Sequence, residues 1–286
     1  MNASPKTIQI FLPQGDPRGI RIAEITTRIL QVIEVPRSLL GDFTQMSESN
    51  QVALYFLFGE SEEAEQRVYI GQTGDLRARL KSHNREKDFW ERALVVISQT
   101  NSLTQTHALF LEWYCLTTCR EVGRYPDENG NSGGKPHTPA PLEADCLEIF
   151  DTAKTLLATL GYPLFDPVAR TEATSKEDEL FFCNGSDAKG RGLYTTEGFV
   201  VLKGSSGRVE NVPSMGVHME KFRERLASSG TLQEQDGRLV FQKDHLFKSP
   251  SSAAIALMGR RANGWKEWKN QAGRTLDELK RQSSDS

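Results

Sequence analysis

The sequence predicts an α+β protein in two parts, a small domain with a short sheet and helices followed by a second, smaller α+β domain. Three observations predict it. Apolar runs of strand length alternate with stretches of helical periodicity up to about residue 165, a polar and charged run occupies residues 170–179, and a second series of short strands and helices follows. A chain of 286 residues has room for two domains, and the polar run has the composition of a linker. The expected organisation is residues 1–50 as an N-terminal β-hairpin extension, 51–165 as a domain with a trailing helix, 166–179 as the linker and 180–286 as the C-terminal domain.

The elements follow in order. Ile8-Gln9-Ile10-Phe11-Leu12 and Ile20-Arg21-Ile22-Ala23-Glu24-Ile25 flank Gly15-Asp16-Pro17-Arg18-Gly19 as a hairpin, which either extends the next sheet or stands as a separate module. Strands are expected at 52–58, 67–71 and 93–98, with the acidic insert 60–66 as a hairpin tip. Helices are expected near 75–87, where Asp75 is the N-cap, near 104–121, and at 142–160 after a Gly/Pro-rich loop. In the second part, Leu180-Phe181-Phe182-Cys183 and Gly198-Phe199-Val200-Val201-Leu202 read as strands around the glycine-bearing Lys189-Gly190-Arg191-Gly192. Residues 210–230 contain a helix, Asp236-Gly237 turns a hairpin, and Ser249-Pro250 opens a helix that Gly259 ends.

Composition narrows the function. A net charge of −3 argues against a surface that coats DNA generally, because nonspecific affinity depends on neutralising phosphates. The charge is uneven, however: residues 67–92 hold seven Lys/Arg against four acids, and residues 243–281 hold nine against four. Four cysteines, at 115, 119, 146 and 183, lack zinc-ribbon spacing and read as small buried thiols. No stretch has the length of a membrane span and the N-terminal residues lack the pattern of a signal peptide, so a cytoplasmic location is expected.

Two segments carry candidate chemistry. In Ala108-Leu109-Phe110-Leu111-Glu112-Trp113-Tyr114-Cys115-Leu116, Glu112 is a lone carboxylate among residues that leave water. Burying it unpaired would neutralise it, so it calls for a cation, an arginine or a bound metal, unless it reaches solvent. Upstream, residues 68–83 begin as a strand, turn on glycines and enter a helix. There Leu76, Arg79, Leu80 and His83 fall at i, i+3, i+4 and i+7, so an arginine and a histidine share the stripe that the leucines assign to the core. Arg77, Lys81 and Arg85 occupy a different, solvated face, and as a basic patch they are expected to contact nucleic acid, the alternative being a merely solvated run of charge. Taken singly, an arginine stem can snorkel and a lone histidine is commonly structural.

Tyr69-Ile70-Gly71, followed ten positions later by Arg79 and fourteen later by His83, resembles the second half of the GIY-YIG nuclease signature. Tyr55, inside the apolar run 52–58, stands where the first half belongs, and Glu112 stands where that family keeps its metal-binding glutamate. The family's late asparagine has two candidates, Asn129 and Asn131. The chain departs from the pattern in reading Ala53-Leu54-Tyr55 for Gly-Ile-Tyr, in a longer Tyr55 to Tyr69 spacing, and in Gln72 where some members place a lysine.

The resemblance implies a short central antiparallel sheet flanked by helices, and a divalent-metal-dependent endonuclease that hydrolyses DNA to 5′-phosphate and 3′-hydroxyl products. Glu112 would hold Mg²⁺ or Mn²⁺ through hard carboxylate oxygens, and the fixed charge and planar fork of Arg79 suit phosphate oxygens. A tyrosine positions or deprotonates the attacking water, Tyr69 first and Tyr55 assisting. A phenol ionises only near pH ~10, so it needs positive charge beside it or a proton relay, for which His83 is the candidate.

The tail carries a second resemblance. Phe247-Lys248-Ser249-Pro250-Ser251-Ser252-Ala253-Ala254 and Gly259-Arg260-Arg261-Ala262-Asn263-Gly264-Trp265 resemble a C-terminal domain of unknown function often attached to GIY-YIG domains in bacterial proteins. Arg260, Arg261 and Lys266 beside Trp265 and Trp268 offer a nucleic-acid face with stacking indoles, the alternative being that the tryptophans form a core with a solvated basic rim. Two other readings of the whole chain stand beside the endonuclease. One is a nucleic-acid-binding module with a weakened site; the other is an interaction scaffold on a nuclease fold, which suits the acidic net charge.

Overall fold

A computed structural model describes residues 5–60, 66–130, 133–168, 180–212 and 215–282. The chain divides into two compact units, Met1–Asp166 and Pro167–Ser286. The expected linker from residue 169 on, the hairpin tip 61–65 and Asn131 lie outside the described residues. The mixed architecture is α+β, and no helix among the described residues is long and apolar enough to cross a membrane.

In the first unit six strands form one sheet: β1 (Ile8–Phe11), β2 (Arg21–Ile25), β3 (Leu30–Pro36), β4 (Ala53–Glu60), β5 (Gln66–Thr73) and β6 (Trp90–Ser98). Their order is β1-β2-β3-β6-β4-β5, with every neighbour antiparallel, so the N-terminal hairpin continues the same sheet. The helices are α1 (Leu40–Phe43), α2 (Leu76–Glu86), α3 (Gln105–Val122) and α4 (Ala140–Thr159). Successive side chains of β4 alternate between two cores. Leu54, Phe56 and Phe58 pack with Phe110 and Leu111 of α3 and Leu156 of α4, while Ala53, Tyr55 and Leu57 pack with Leu76 and Leu80 of α2. Covering both faces explains why this strand is apolar throughout rather than alternating.

Strand β3, which carries Glu34 within an apolar run, was not among the expected strands. Glu34 is fully buried and is held from three sides. Arg21 of β2 pairs with one carboxylate oxygen; Arg92 of β6, at 2.9 Å, and the Tyr162 hydroxyl, at 3.1 Å, donate to the other. Glu34 is thus a carboxylate whose burial requires its cations; Glu112 is half-buried, with the charge of Arg79 acting on it.

The second unit contains β7 (Leu180–Asn184), β8 (Lys189–Thr195), β9 (Gly198–Val201), β10 (Ser206–Gly207), β11 (Leu232–Gln235), β12 (Arg238–Phe241) and β13 (His245–Phe247). It also contains α5 (Val217–Ser228), α6 (Pro250–Met258), α7 (Gly264–Glu267) and α8 (Leu276–Lys280). The sheet runs β11-β12-β10-β8-β9-β13, with β7 also paired to β8. Lys189-Gly190-Arg191-Gly192 is therefore strand rather than a connection between strands. Its glycines serve close packing: a Cβ on Gly190 would lie 2.4 Å from Leu257 Cδ1 and 3.0 Å from Trp268 Cη2. Helix α6 begins as its sequence dictates, with Ser249 Oγ accepting from the Ser252 N–H at 3.1 Å and Pro250 in the first turn.

Replacing Glu34 by Ala leaves two arginines facing a buried gap. Urea denaturation should show the N-terminal unit destabilised by about 3–5 kcal/mol. A loss under about 1 kcal/mol would mean that the network contributes little to the fold.

Candidate active site

Strand pairing sets the first part of the site. Tyr55 of β4 lies opposite Gly71 of β5, and Leu57 lies opposite Tyr69. A Cβ at position 71 would sit 2.4 Å from the Tyr55 hydroxyl oxygen and 3.0 Å from Tyr69 Cε1, so the missing side chain is what lets the Tyr55 ring lie across the strand. The two rings then stack at 6.3 Å and 30°.

Helix α2 supplies the next layer. Asp75 caps it, accepting from the Ala78 N–H at 3.0 Å, which turns Arg79 and His83 toward the tyrosines. Arg79 Nε donates to the Tyr55 oxygen at 3.0 Å, and its Nη2 reaches the Tyr69 oxygen at 3.5 Å. The Tyr55 hydroxyl also meets His83 Nε2 at 2.8 Å. Because Arg79 can only donate, the phenolic hydrogen is assigned to the bond with His83, which places the imidazole hydrogen on Nδ1. That Nδ1 is buried without a hydrogen-bond partner.

Burial divides the labour between these groups. Tyr55 is fully buried and its pKa is raised above the ordinary phenol value by loss of solvent, against the pull of Arg79. It is held in its protonated form at neutral pH. His83 is lowered to about 4 by burial and by the charges of Arg79 and Lys87, so it is neutral at pH 7. No hydrogen bond joins His83 to Tyr69 among the described residues; their rings meet edge to face at 5.0 Å. His83 meets Tyr55 directly by a hydrogen bond and Tyr69 by its ring.

The outer edge of β5 places Glu112 and Asn129. β5 is the last strand of the sheet, and its outward peptide groups need partners. The Val68 N–H goes to the Pro126 carbonyl at 3.1 Å, and the Val68 carbonyl accepts from the Glu128 N–H at 2.8 Å. Asn129 then serves Ile70 twice, its Oδ1 accepting at 2.9 Å and its Nδ2 donating at 2.7 Å. The next outward amide, that of Gln72, acts on the Glu112 carboxylate and favours its charged form. Arg120, two turns beyond Glu112 on α3, grips Asp127 through two bonds of 2.8 and 2.9 Å and the carbonyls of Asn129 and Gly130 at 3.3 and 3.2 Å. Asn129 thus acts on the backbone between Tyr69 and Gly71, accepting one bond and donating one there. The Glu112 pKa is raised by burial, opposed by the Gln72 N–H and by Arg79.

The remaining expected contacts divide. Lys81 and Arg85 are exposed, but Arg77 is half-buried and donates to Ser49 Oγ at 3.3 and 3.2 Å, which removes it from the solvated face. In the second unit Trp268 is core, fully buried with its Nε1 donating to the Pro250 carbonyl at 3.0 Å, and the Arg281 guanidinium lies 3.6 Å from the centre of the Trp265 ring. Arg260 is paired with Glu267 at 2.9 Å. An open pair of stacking indoles is therefore not what this tail presents; Arg261 and Lys266 are exposed. Lys87 is the residue that sequence reasoning missed. Its Nζ lies 4.3 Å from the Tyr69 ring centre, and the signal was available in the four-residue spacing of Arg79, His83 and Lys87.

Residues 181–280 match the family model described as Domain of unknown function (DUF4357). The second unit therefore carries that domain, and the matched segment includes none of the residues around Tyr69. No curated protein and no solved structure matches the chain.

Gly71→Ala should cost about 1–3 kcal/mol of stability, and most of that cost should vanish in a Tyr55→Ala background, where the clashing ring is gone; equal costs in both backgrounds would refute the contact. Acid should also weaken the fold. With a folded value of about 4 against the ordinary 6.5 of an exposed imidazole, neutral His83 contributes stability above pH 6.5 that is lost as pH falls toward 4. His83→Gln should reduce the fall in urea midpoint over that interval, and an unchanged fall would place the acid sensitivity elsewhere.

Proposed function

We propose that the N-terminal unit is a divalent-metal-dependent endonuclease of the GIY-YIG type, hydrolysing DNA phosphodiester bonds to 5′-phosphate and 3′-hydroxyl ends. The observation that carries this reading is the state of Arg79. Its guanidinium is tied to two tyrosine oxygens, has no carboxylate within ion-pair distance among the described residues, and belongs to a residue exposed to solvent. A cation positioned this way and without a direct ion pair among the described residues suits an anionic substrate, and its planar fork suits phosphate oxygens as their charge grows.

The other residues take roles that fit their surroundings. Tyr69 is half-exposed and sits beside Arg79, so it is the phenol able to meet and orient a water molecule. Tyr55 is a fixed neutral element that holds Arg79 by accepting its Nε–H. Exposed Lys81 and Arg85 extend positive charge along α2 for the DNA backbone.

A divalent cation fits the donor set in one form. Among the described residues no group of three or more His, Cys, Asp or Glu could hold a metal, so a closed protein cage is not built here. Glu112 nevertheless retains oxygen lone pairs beyond the one given to Gln72, and Mg²⁺ is commonly bound by one or two carboxylates together with waters and substrate phosphate. Glu112 would hold Mg²⁺ or Mn²⁺, which supplies Lewis-acid stabilisation of phosphoryl charge when bound.

Purified protein incubated with supercoiled plasmid and with branched or single-stranded DNA in Mg²⁺ or Mn²⁺ should cut, and chelation by EDTA should stop it. Glu112→Ala and Arg79→Ala should each lose about 100-fold or more in rate. Unchanged cutting in both variants would remove this site from the reaction. Salt-sensitive binding without cutting would leave a nucleic-acid-binding module, and neither binding nor cutting would leave a scaffold.

A further inference from the structure

Helix α2 ends by bringing one more charge to the tyrosines. Lys87 leaves the helical conformation at φ −127 and ψ 118, and its N–H still bonds to the His83 carbonyl at 3.0 Å. Arg79, His83 and Lys87, each four residues from the next, therefore follow one line along α2. At the end of that line the Lys87 ammonium stands over the face of Tyr69, 4.3 Å from the ring centre. It also acts on His83, helping to keep that imidazole neutral.

The ammonium has no ion-pair partner among the described residues. The acids on either side of it turn elsewhere: Glu86 accepts from Ser82 Oγ at 2.7 Å, and Asp88 lies 3.9 Å from Arg37. A half-buried lysine without a counter-ion, set on an aromatic face, calls for a functional account.

We propose that Lys87 is a further positioning residue of this site, a cation on the ring face of Tyr69 that stabilises the negative charge of its tyrosinate form. The proposal rests on the nuclease reading. Tyr69 acts as a base only after its hydroxyl has released a proton to solvent. The tyrosinate oxygen then takes a proton from the attacking water, whose oxygen bonds to phosphorus while the bond from phosphorus to the 3′ oxygen breaks; the departing oxygen takes a proton from solvent, matching the one that Tyr69 released, and becomes the 3′-hydroxyl.

The negative face of an aromatic ring attracts an ammonium, and ionising the phenol adds charge to that ring. Two cations thus bracket Tyr69, Arg79 at its oxygen and Lys87 on its face. The other groups packed around it are neutral Tyr55 from β4 and neutral His83 from α2; Glu86 acts on His83, and Glu112 of α3 acts on Tyr55.

The test measures cleavage against pH for the parent protein, Lys87→Met and Lys87→Arg. Lys87→Met should lower kcat about tenfold at neutral pH while KM changes less than about twofold, and its rate should approach the parent's as pH rises; Lys87→Arg should restore the rate. A higher KM at every pH would make Lys87 a DNA-backbone contact, and a loss of kcat without a shift in pH dependence would make it structural; either result overturns the proposal. A second measurement needs no cutting. Tyrosinate absorbance, with Tyr69→Phe to assign the transition, should appear at higher pH in Lys87→Met than in the parent. Cutting by the parent with coincident Tyr69 transitions would overturn the role of Lys87 while leaving the nuclease reading intact. A parent that does not cut would overturn that reading, with the absorbance measurement still deciding whether Lys87 acts on Tyr69.

Discussion

The outward peptide groups of β5 impose the constraint on which the rest of the site depends. An edge strand buried against other chain must have those groups hydrogen-bonded, because leaving one unpaired costs about 1–3 kcal/mol. Here the partners are a short parallel segment at Pro126–Glu128, the Asn129 amide and the Glu112 carboxylate, taken in order along the strand. Since side chains alternate with the same period of two, closing the edge at Ile70 and Gln72 leaves Tyr69 and Gly71 turned toward α2. One strand thereby presents Tyr69 to α2 on one face of the sheet while its edge meets the segment that follows α3.

Burial then sorts chemically similar groups into different states. Two tyrosines stack on each other, yet Tyr55 has lost all contact with water and Tyr69 has not. Desolvation favours the neutral phenol, so the buried ring becomes a fixed hydrogen-bonding element between Arg79 and His83. The same logic distinguishes the acids. Glu34 is completely enclosed and paired with arginines, while Glu112 is half-buried, its pKa raised by burial against the pull of the Gln72 backbone and of Arg79.

Local patterns made part of this arrangement legible. The spacing of Leu76, Arg79, Leu80 and His83 identified two polar residues for one helix face, and Ser249-Pro250 marked a helix start, because both depend on neighbours within a turn. What the sequence concealed depends on distant partners. The groups that satisfy Glu34 in β3 are 13, 58 and 128 residues away, so no local pattern announces them. Asn129 looked like loop composition because its bond to Ile70 spans 59 residues. Gly190 and Gly192 suggested a turn because nothing nearby reveals that Leu257 and Phe199 fill the space. Trp265 and Trp268 shared one composition signal, yet one is capped by an arginine and the other is the centre of a core.

Helix α3 carries both Glu112 and Arg120, so the carboxylate and the clamp on the Asp127–Gly130 strap arrive together. On the ribosome, a chain elongated only as far as β6 already contains both tyrosines, Arg79 and His83, but has neither the carboxylate nor the strap that closes β5. The order of synthesis thus withholds the full constellation until α3 docks, and its assembly becomes a property of the finished unit.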